Sequence, residues 1–287
     1  MQIRTPRVFF VLCTAGLLLL GILVYRNSPT GSDFSAYYIA GLRLQAGQGL
    51  YEQSNADNLY VYPPLFALLV LPLSYLSLTS AASVWYLFGL LGLGLTLRIL
   101  KQDLFSHVSS NSLFMPACIL ALFFCARFLI NHLLRGQSNL LLMALIALGT
   151  HLALRNCPRG SAMAVALAGT FKPFTLLAAL PLWRRNGSSW MLWLFLFLVL
   201  FNLMPALLFG FSGNLQLLDT WLRDYALPSL KSNIPLSHEP MDFMNQSLMA
   251  TCYRLITPAK ATDSGPINIL TCIRPAPRLW HWPLLPL

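Results

Sequence analysis

A carboxylate heads the segment Asp33-Phe34-Ser35-Ala36-Tyr37-Tyr38, with Tyr37 and Tyr38 one helical turn on. There Asp33 can take the proton of an attacking hydroxyl as a general base. It can equally cap the helix that follows, since Asp is a preferred N-cap, and the two roles are compatible. Lys172-Pro173 interrupts the otherwise apolar stretch from Ala162 to Trp183. A lone cation between two half-helices suits a phosphate carried on a lipid; the bland reading is a lysine that snorkels to the interface. Arg135 offers a second phosphate ligand with a bidentate fork, or marks a helix end for topology. Gln137 and Asn139, opening an apolar helix, can bond a sugar or phosphate or simply cap it. Tyr37, Tyr62 (in Tyr60-Val61-Tyr62-Pro63-Pro64) and Asn245 complete the candidate substrate-binding set. The tyrosines belong at least to an interfacial aromatic belt, and their faces suit a sugar or prenyl chain.

His132 near Arg135 reads as a hydrogen-bonded structural residue, and His238 beside Glu239 only slightly more as an acid or base. Asn186-Gly187-Ser188 and Asn245-Gln246-Ser247 match the glycosylation sequon, a weak three-residue signal. The six cysteines form no C-x-x-C pair and have no histidine at metal-ligand spacing, so no metal or cofactor is assigned. There is no D-x-D and no Walker A sequence, which argues against a metal-bound nucleotide-sugar site and against an ATP-driven pump.

The elements that must position these residues are apolar helices. Hydrophobic residues make up 56% of the 287 and charged ones only 10%, a balance unlike that of soluble domains. The expected class is an all-α polytopic membrane protein with room for roughly eight crossings. The net charge of +10 contains no Lys/Arg-rich run that could track a nucleic acid, so it reads as a topology signal. Val8–Tyr25, behind Arg4 and Arg7 and without a small-residue cleavage site, is expected to be a retained first helix with its N-terminus in the cytoplasm.

Residues 26–62 form a first external loop containing a short amphipathic helix: Phe34, Tyr37, Tyr38, Gly41 and Leu44 recur at helical spacing until Gly47 and Gly49. Apolar runs follow at Pro64–Leu78, Ala81–Leu100, Leu113–Ile130, Leu140–Leu154, Ala162–Phe171, Phe174–Trp183 and Trp190–Phe209. A lysine at the midplane costs roughly 2.5 to 3.5 kcal/mol, so two half-length helices meeting at Lys172 are expected rather than one. Arg155, Arg159, Arg184 and Arg185 then share the cytoplasmic side, with Arg135 and Lys172 outside. That parity requires one run between Pro63 and Ile130 to be re-entrant or double, or the count to differ. A second external loop is expected at 211–246. The membrane-embedded unit is expected at 1–257, followed at 258–287 by an irregular Pro- and Trp-rich tail.

In order and spacing, Asp33-Phe34 with Tyr37-Tyr38, Gly49-Leu50-Tyr51, Tyr62-Pro63-Pro64-Leu65, Gly136-Gln137-Ser138-Asn139, Lys172-Pro173 and Asn245-Gln246-Ser247-Leu248 resemble glycosyltransferase family 87. This is the polyprenyl-phosphate-mannose-dependent alpha-mannosyltransferase family of the C-type superfamily. The resemblance implies a C-type helical bundle with Asp33 as the catalytic carboxylate. It also implies transfer of a hexose from a polyprenyl-phosphate donor to a glycolipid or glycan acceptor outside the cytoplasm. The expected location is the plasma (inner) membrane. Similar proteins continue with further helices where this chain turns to its Pro/Trp tail, so a shortened product is expected. Two other readings stand beside the transferase: a transporter or flippase of a lipid-linked sugar, which also uses broken helices, and an inactive fragment of such an enzyme.

Overall fold

A computed structural model describes residues 5–27, 33–51, 60–104 and 114–228, together with the backbone of two short strands at 260–262 and 265–266. It divides into two compact units, Met1–Trp221 and Leu222–Leu287.

The first unit is all helical. Helix α1 (Thr5–Asn27) precedes the short α2 (Asp33–Gln45). Asp33 occupies the first turn of α2, where a carboxylate favours the helix dipole. Phe34, Tyr37, Ala40 and Gly41 make its buried face. Helix α3 (Pro64–Val70) takes Pro64 at its first position, where the missing N–H costs nothing, and tightens into a 3-10 turn at Leu71–Tyr75. Helices α4 (Leu78–Leu104) and α5 (Phe114–Arg135) follow, then α6 (Asn139–Leu154) and α7 (Pro158–Phe171).

After Lys172 come a 3-10 turn (Pro173–Ala178) and α8 (Ala179–Asn186). Helix α9 (Ser188–Leu203) and α10 (Ala206–Trp221) close the unit. Leu222–Leu287 contains a π-helical turn at Leu222–Ala226 and an antiparallel pair, β1 (Lys260–Thr262) with β2 (Gly265–Pro266). That pair lies inside the tail expected to be irregular.

Two contacts set the direction of the bundle. Near one end of α6, Gly92 of α4 lies so close that a Cβ there would stand 3.0 Å from the Leu140 carbonyl oxygen. Near the other, His151 Nδ1 meets both oxygens of Asp103 at 2.9 and 3.0 Å. Helices α4 and α6 therefore run parallel. Helix α7 runs back along α6, with Lys172 beside Asn139, and α8 returns so that Arg185 Nε donates to the Ala153 carbonyl at 3.5 Å. Lys172 stands at the turning point of this hairpin, while Arg155, Arg159, Arg184 and Arg185 gather at the opposite end. At that lower end the fully buried Trp190 of α9 donates to Ser161 Oγ of α7 at 3.0 Å.

The expected half-helices meeting at Lys172 are present, with Lys172 itself in extended backbone (φ −138°, ψ 104°). The crossing count needs correction. Among the described residues α4 and α5 are long and apolar enough to cross a membrane, and the bent α9/α10 pair makes a third if it counts as one span. The reason is local: a break between α9 and α10 bends that pair by 97°, Gly210 adds a non-helical step (φ 69°, ψ 167°) inside α10, and the run after Pro63 is only the short helix Pro64–Tyr75. At 1.5 Å per residue such elements fall well short of a hydrocarbon core about 30 Å thick. Of the external loop expected at 211–246, the residues up to Trp221 are helical, as apolar Leu215, Leu217 and Leu218 favour, and 229–246 lie outside the described residues. The chain is an all-α membrane protein.

Candidate functional site

The connection between α5 and α6 creates the site. Gly136 adopts the left-handed conformation (φ +65°), and two bonds close α5 there: Gly136 N–H to the Leu133 carbonyl at 3.3 Å and Gln137 N–H to the His132 carbonyl at 3.2 Å. This pairing is a Schellman ending, which wants glycine at that place. A Cβ on Gly136 would lie 2.6 Å from Phe34 Cβ, so glycine also lets α2 approach. Trp85 Nε1 locks the turn by donating to the Gly136 carbonyl at 2.8 Å. Ser138 then caps α6 with its backbone, its carbonyl accepting from the Leu141 and Leu142 N–H groups.

These turns leave Gln137, Asn139 and Lys172 together. Lys172 Nζ donates to Asn139 Oδ1 at 2.7 Å and lies 5.5 Å from the centre of the Tyr62 ring. Asn139 Nδ2 donates to Gln137 Oε1 at 3.3 Å, and the same oxygen is 3.0 Å from His132 Nδ1. The Leu140 N–H reaches the other ring nitrogen, His132 Nε2, at 3.3 Å. Because a backbone N–H and an ammonium can only donate, the polarity of the whole network is fixed from both ends. His132 Nε2 must accept, which leaves its proton on Nδ1 and directs it to Gln137 Oε1. Asn139 must turn its oxygen to Lys172 and its NH2 to Gln137. Both chains end on Gln137 Oε1 and fill its two lone pairs, so Gln137 and Lys172 have only N–H donors left to offer, and Asn139 has one N–H beside a second lone pair on Oδ1.

Tyr37 forms the floor. It is 1% exposed, packs edge-on against Tyr62, Phe66 and Trp85, and its hydroxyl pairs with that of Tyr62 at 2.9 Å. Burial, then the Tyr62 hydroxyl and the Asp33 carboxylate, push the Tyr37 phenol well above the usual tyrosine range, so it stays protonated. Ser138 Oγ lies beside it, buried and without a partner of hydrogen-bonding geometry. Asp33, half-buried, acts electrostatically on both Tyr37 and His132, and Lys172 also acts on His132. The carboxylate and the ammonium thus share one end of the bundle. Arg135 is the half-buried last residue of α5, beside the glycine turn. Asn245 lies outside the described residues.

An apolar groove of about 410 Å³ opens directly below. Leu141, Ala144, Leu145 and Leu148 of α6 form one wall and Trp85, Phe88 and Leu95 of α4 the other, with Phe66, Leu167 and Phe171 behind. Its upper end is Ser138 and Phe171, the residues that precede Asn139 and Lys172. Polar donors thus cap a trough suited to a hydrocarbon chain.

Sequence reasoning singled out Gln137, Asn139 and Lys172 separately and set His132 aside. The signal for His132 was its place four residues before Gly136, which in a Schellman ending brings its ring beside the next polar residue. Among the described residues no group of three or more metal-ligating side chains occurs.

The sequence model of glycosyltransferase family 87 matches residues 60–280, which include Tyr62, Arg135, Gln137, Asn139, Lys172 and Asn245 but not Asp33 or Tyr37. The chain is also 28% identical, over 188 residues, to a protein of Mycolicibacterium smegmatis (strain ATCC 700084 / mc(2)155). That protein is named polyprenol-phosphate-mannose-dependent alpha-(1-2)-phosphatidylinositol mannoside mannosyltransferase. The similarity covers 60% of this chain and 43% of that relative, so the chain spans less than half of the relative's length. No solved structure matches the chain. With more than half of its residues matched, this chain belongs to glycosyltransferase family 87.

Proposed function

We propose that the chain is a membrane hexosyltransferase that moves a sugar from a polyprenyl-phosphate donor to an acceptor hydroxyl at the non-cytoplasmic face of the cell membrane. Mannose is the sugar favoured, because the Mycolicibacterium relative is named for it. The observation that carries the reading is the set of N–H donors on Gln137, Asn139 and Lys172 at the mouth of the apolar groove. Such a surface complements a phosphate, and the trough beneath it complements the chain the phosphate is attached to.

In the reaction the acceptor hydroxyl oxygen attacks the anomeric carbon while Asp33 takes its proton. The bond from that carbon to the phosphate oxygen breaks on the opposite face, its electrons leave with the polyprenyl phosphate, and the configuration inverts. Charge grows on the departing phosphate, where the fixed donors of Lys172, Asn139 and Gln137 stabilise it. A phosphate leaves without the general acid that cleavage between two sugars requires, so one carboxylate suffices. In the matching topology the N-terminus and the cluster Arg155, Arg159, Arg184 and Arg185 are cytoplasmic and the chain crosses the membrane several times.

Asp33→Asn keeps the shape and the capping capacity of the side chain while removing the base. Membranes containing this variant should hold normal amounts of protein yet transfer no radiolabelled hexose from the lipid donor. Full transfer would remove Asp33 from the mechanism. Movement of an intact lipid-linked sugar across liposomes, with no glycosidic bond formed, would replace the transferase by a flippase.

A further inference from the structure

We propose that His132 is a positioning residue for the donor phosphate, acting through Gln137. The inference rests on Gln137, Asn139 and Lys172 being the phosphate ligands. A primary amide can present either its oxygen or its NH2 to a ligand, and the two are opposite in sign. In Gln137 the choice is made by what holds the oxygen. His132 is 8% exposed and lies one helical turn below the glycine ending of α5. Its Nε2 is engaged by the Leu140 N–H at 3.3 Å, a group that cannot accept, so the ring proton is held on Nδ1 and points at Gln137 Oε1, 3.0 Å away.

Were Gln137 reversed, its NH2 would meet both the Nδ1–H of His132 and the NH2 of Asn139, donor against donor. Asn139 cannot turn to relieve this, because its oxygen is held by Lys172 Nζ at 2.7 Å. His132 and Lys172 thus clamp the amide from two sides, and the NH2 of Gln137 is left for the phosphate. Preorganised donors of this kind need no reorientation when charge develops in front of them.

The two ring nitrogens can be separated by substitution. His132→Asn puts an amide N–H where Nδ1–H stands and gives up the bond from Leu140. His132→Gln puts an amide oxygen where Nε2 stands and gives up the donor to Gln137. The probe is a polyprenyl phosphate, without sugar, titrated onto the full chain in nanodiscs and followed by the shift in melting temperature.

His132→Gln should weaken binding about tenfold and His132→Asn no more than about threefold, the size of one hydrogen bond gained or lost. Gln137→Ala should match His132→Gln, and the double variant should be no weaker than Gln137→Ala alone, since both act on one amide. Equal lowering of melting temperature by both His132 variants, with wild-type affinity, would overturn the proposal and leave His132 structural. Additive effects in the double variant would also overturn it. A wild-type chain that binds no polyprenyl phosphate would overturn the donor reading itself. Wild-type binding with an unaffected His132→Gln variant would overturn the His132 role alone.

Discussion

Replacing Lys172 by methionine separates structure from chemistry at the candidate site. Among the described residues the ammonium makes one hydrogen bond, 2.7 Å to Asn139 Oδ1, and lies 5.5 Å from the centre of the Tyr62 ring. Losing a hydrogen bond to a charged group costs about 1.5–3 kcal/mol, and a partly exposed cation–π contact adds about 0.5–1. Lys172 ends its helix at the proposed outer face, so its removal recovers no midplane insertion cost. Methionine matches the length of the lysine stem and keeps its packing, so stability should fall by at most about 2–4 kcal/mol. The loss in catalysis comes on top of that and is read separately from it. Truncating one partner of a desolvated, hydrogen-bonded charge pair costs about 2–5 kcal/mol. At about 1.4 kcal/mol per decade, transfer should fall by roughly 30- to several-thousandfold. The assay compares initial rates of radiolabelled hexose transfer from the lipid donor with melting temperatures of the same preparations. Transfer within about threefold of wild type, at equal folded protein, would refute the placement of the phosphate at Lys172.

Gly136→Ala must take a left-handed conformation that costs an L-residue about 1–2 kcal/mol, with a Cβ 2.6 Å from Phe34 Cβ. It should lower the melting temperature and reduce kcat, because the residue pushed away is next to Asp33. Leu145→Trp fills the groove between α4 and α6 and should raise KM for a long-chain polyprenyl donor more than for a donor of two isoprene units. Equal effects on both donors would argue against a chain in the groove. Tyr37 and Tyr60 have phenols held well above the usual range, chiefly by burial. Their folded-state pKa is raised, so the stability they contribute is complete below about pH 10 and declines as pH rises beyond it. Ultraviolet difference titration should show two tyrosines that ionise only with unfolding.

Lys172-Pro173 was readable as a break because a cation in an apolar run has no cheap place except a helix end, and the hairpin of α7 with α8 turns there. Asp33 was readable as a helix start by the same logic of type and position. Gly136-Gln137-Ser138-Asn139 was readable as a helix opening, but the turn that closes α5 depends on Phe34 and Trp85, more than 50 residues away in sequence. No local pattern announces that Gln137 Oε1 receives bonds from both His132 and Asn139. The break between α9 and α10 was missed for another reason, whereas the parity of the basic clusters already required one run between Pro63 and Ile130 to be re-entrant or double, or the count to differ. Hydropathy counts apolar residues without regard to backbone breaks, so a broken helix and a spanning one look alike. That break accounts for part of the excess in the expected number of crossings.

The most direct measurement is a cryo-electron-microscopy structure of the full chain in nanodiscs with a non-transferable polyprenyl-phosphate-hexose analogue. The expected result is a phosphate within hydrogen-bonding distance of Lys172 and Asn139, its chain along the α4–α6 groove, and the sugar between that phosphate and Asp33. A phosphate bound instead at the opposite end, beside Arg155 and Arg185, or a sugar out of reach of Asp33, would contradict it.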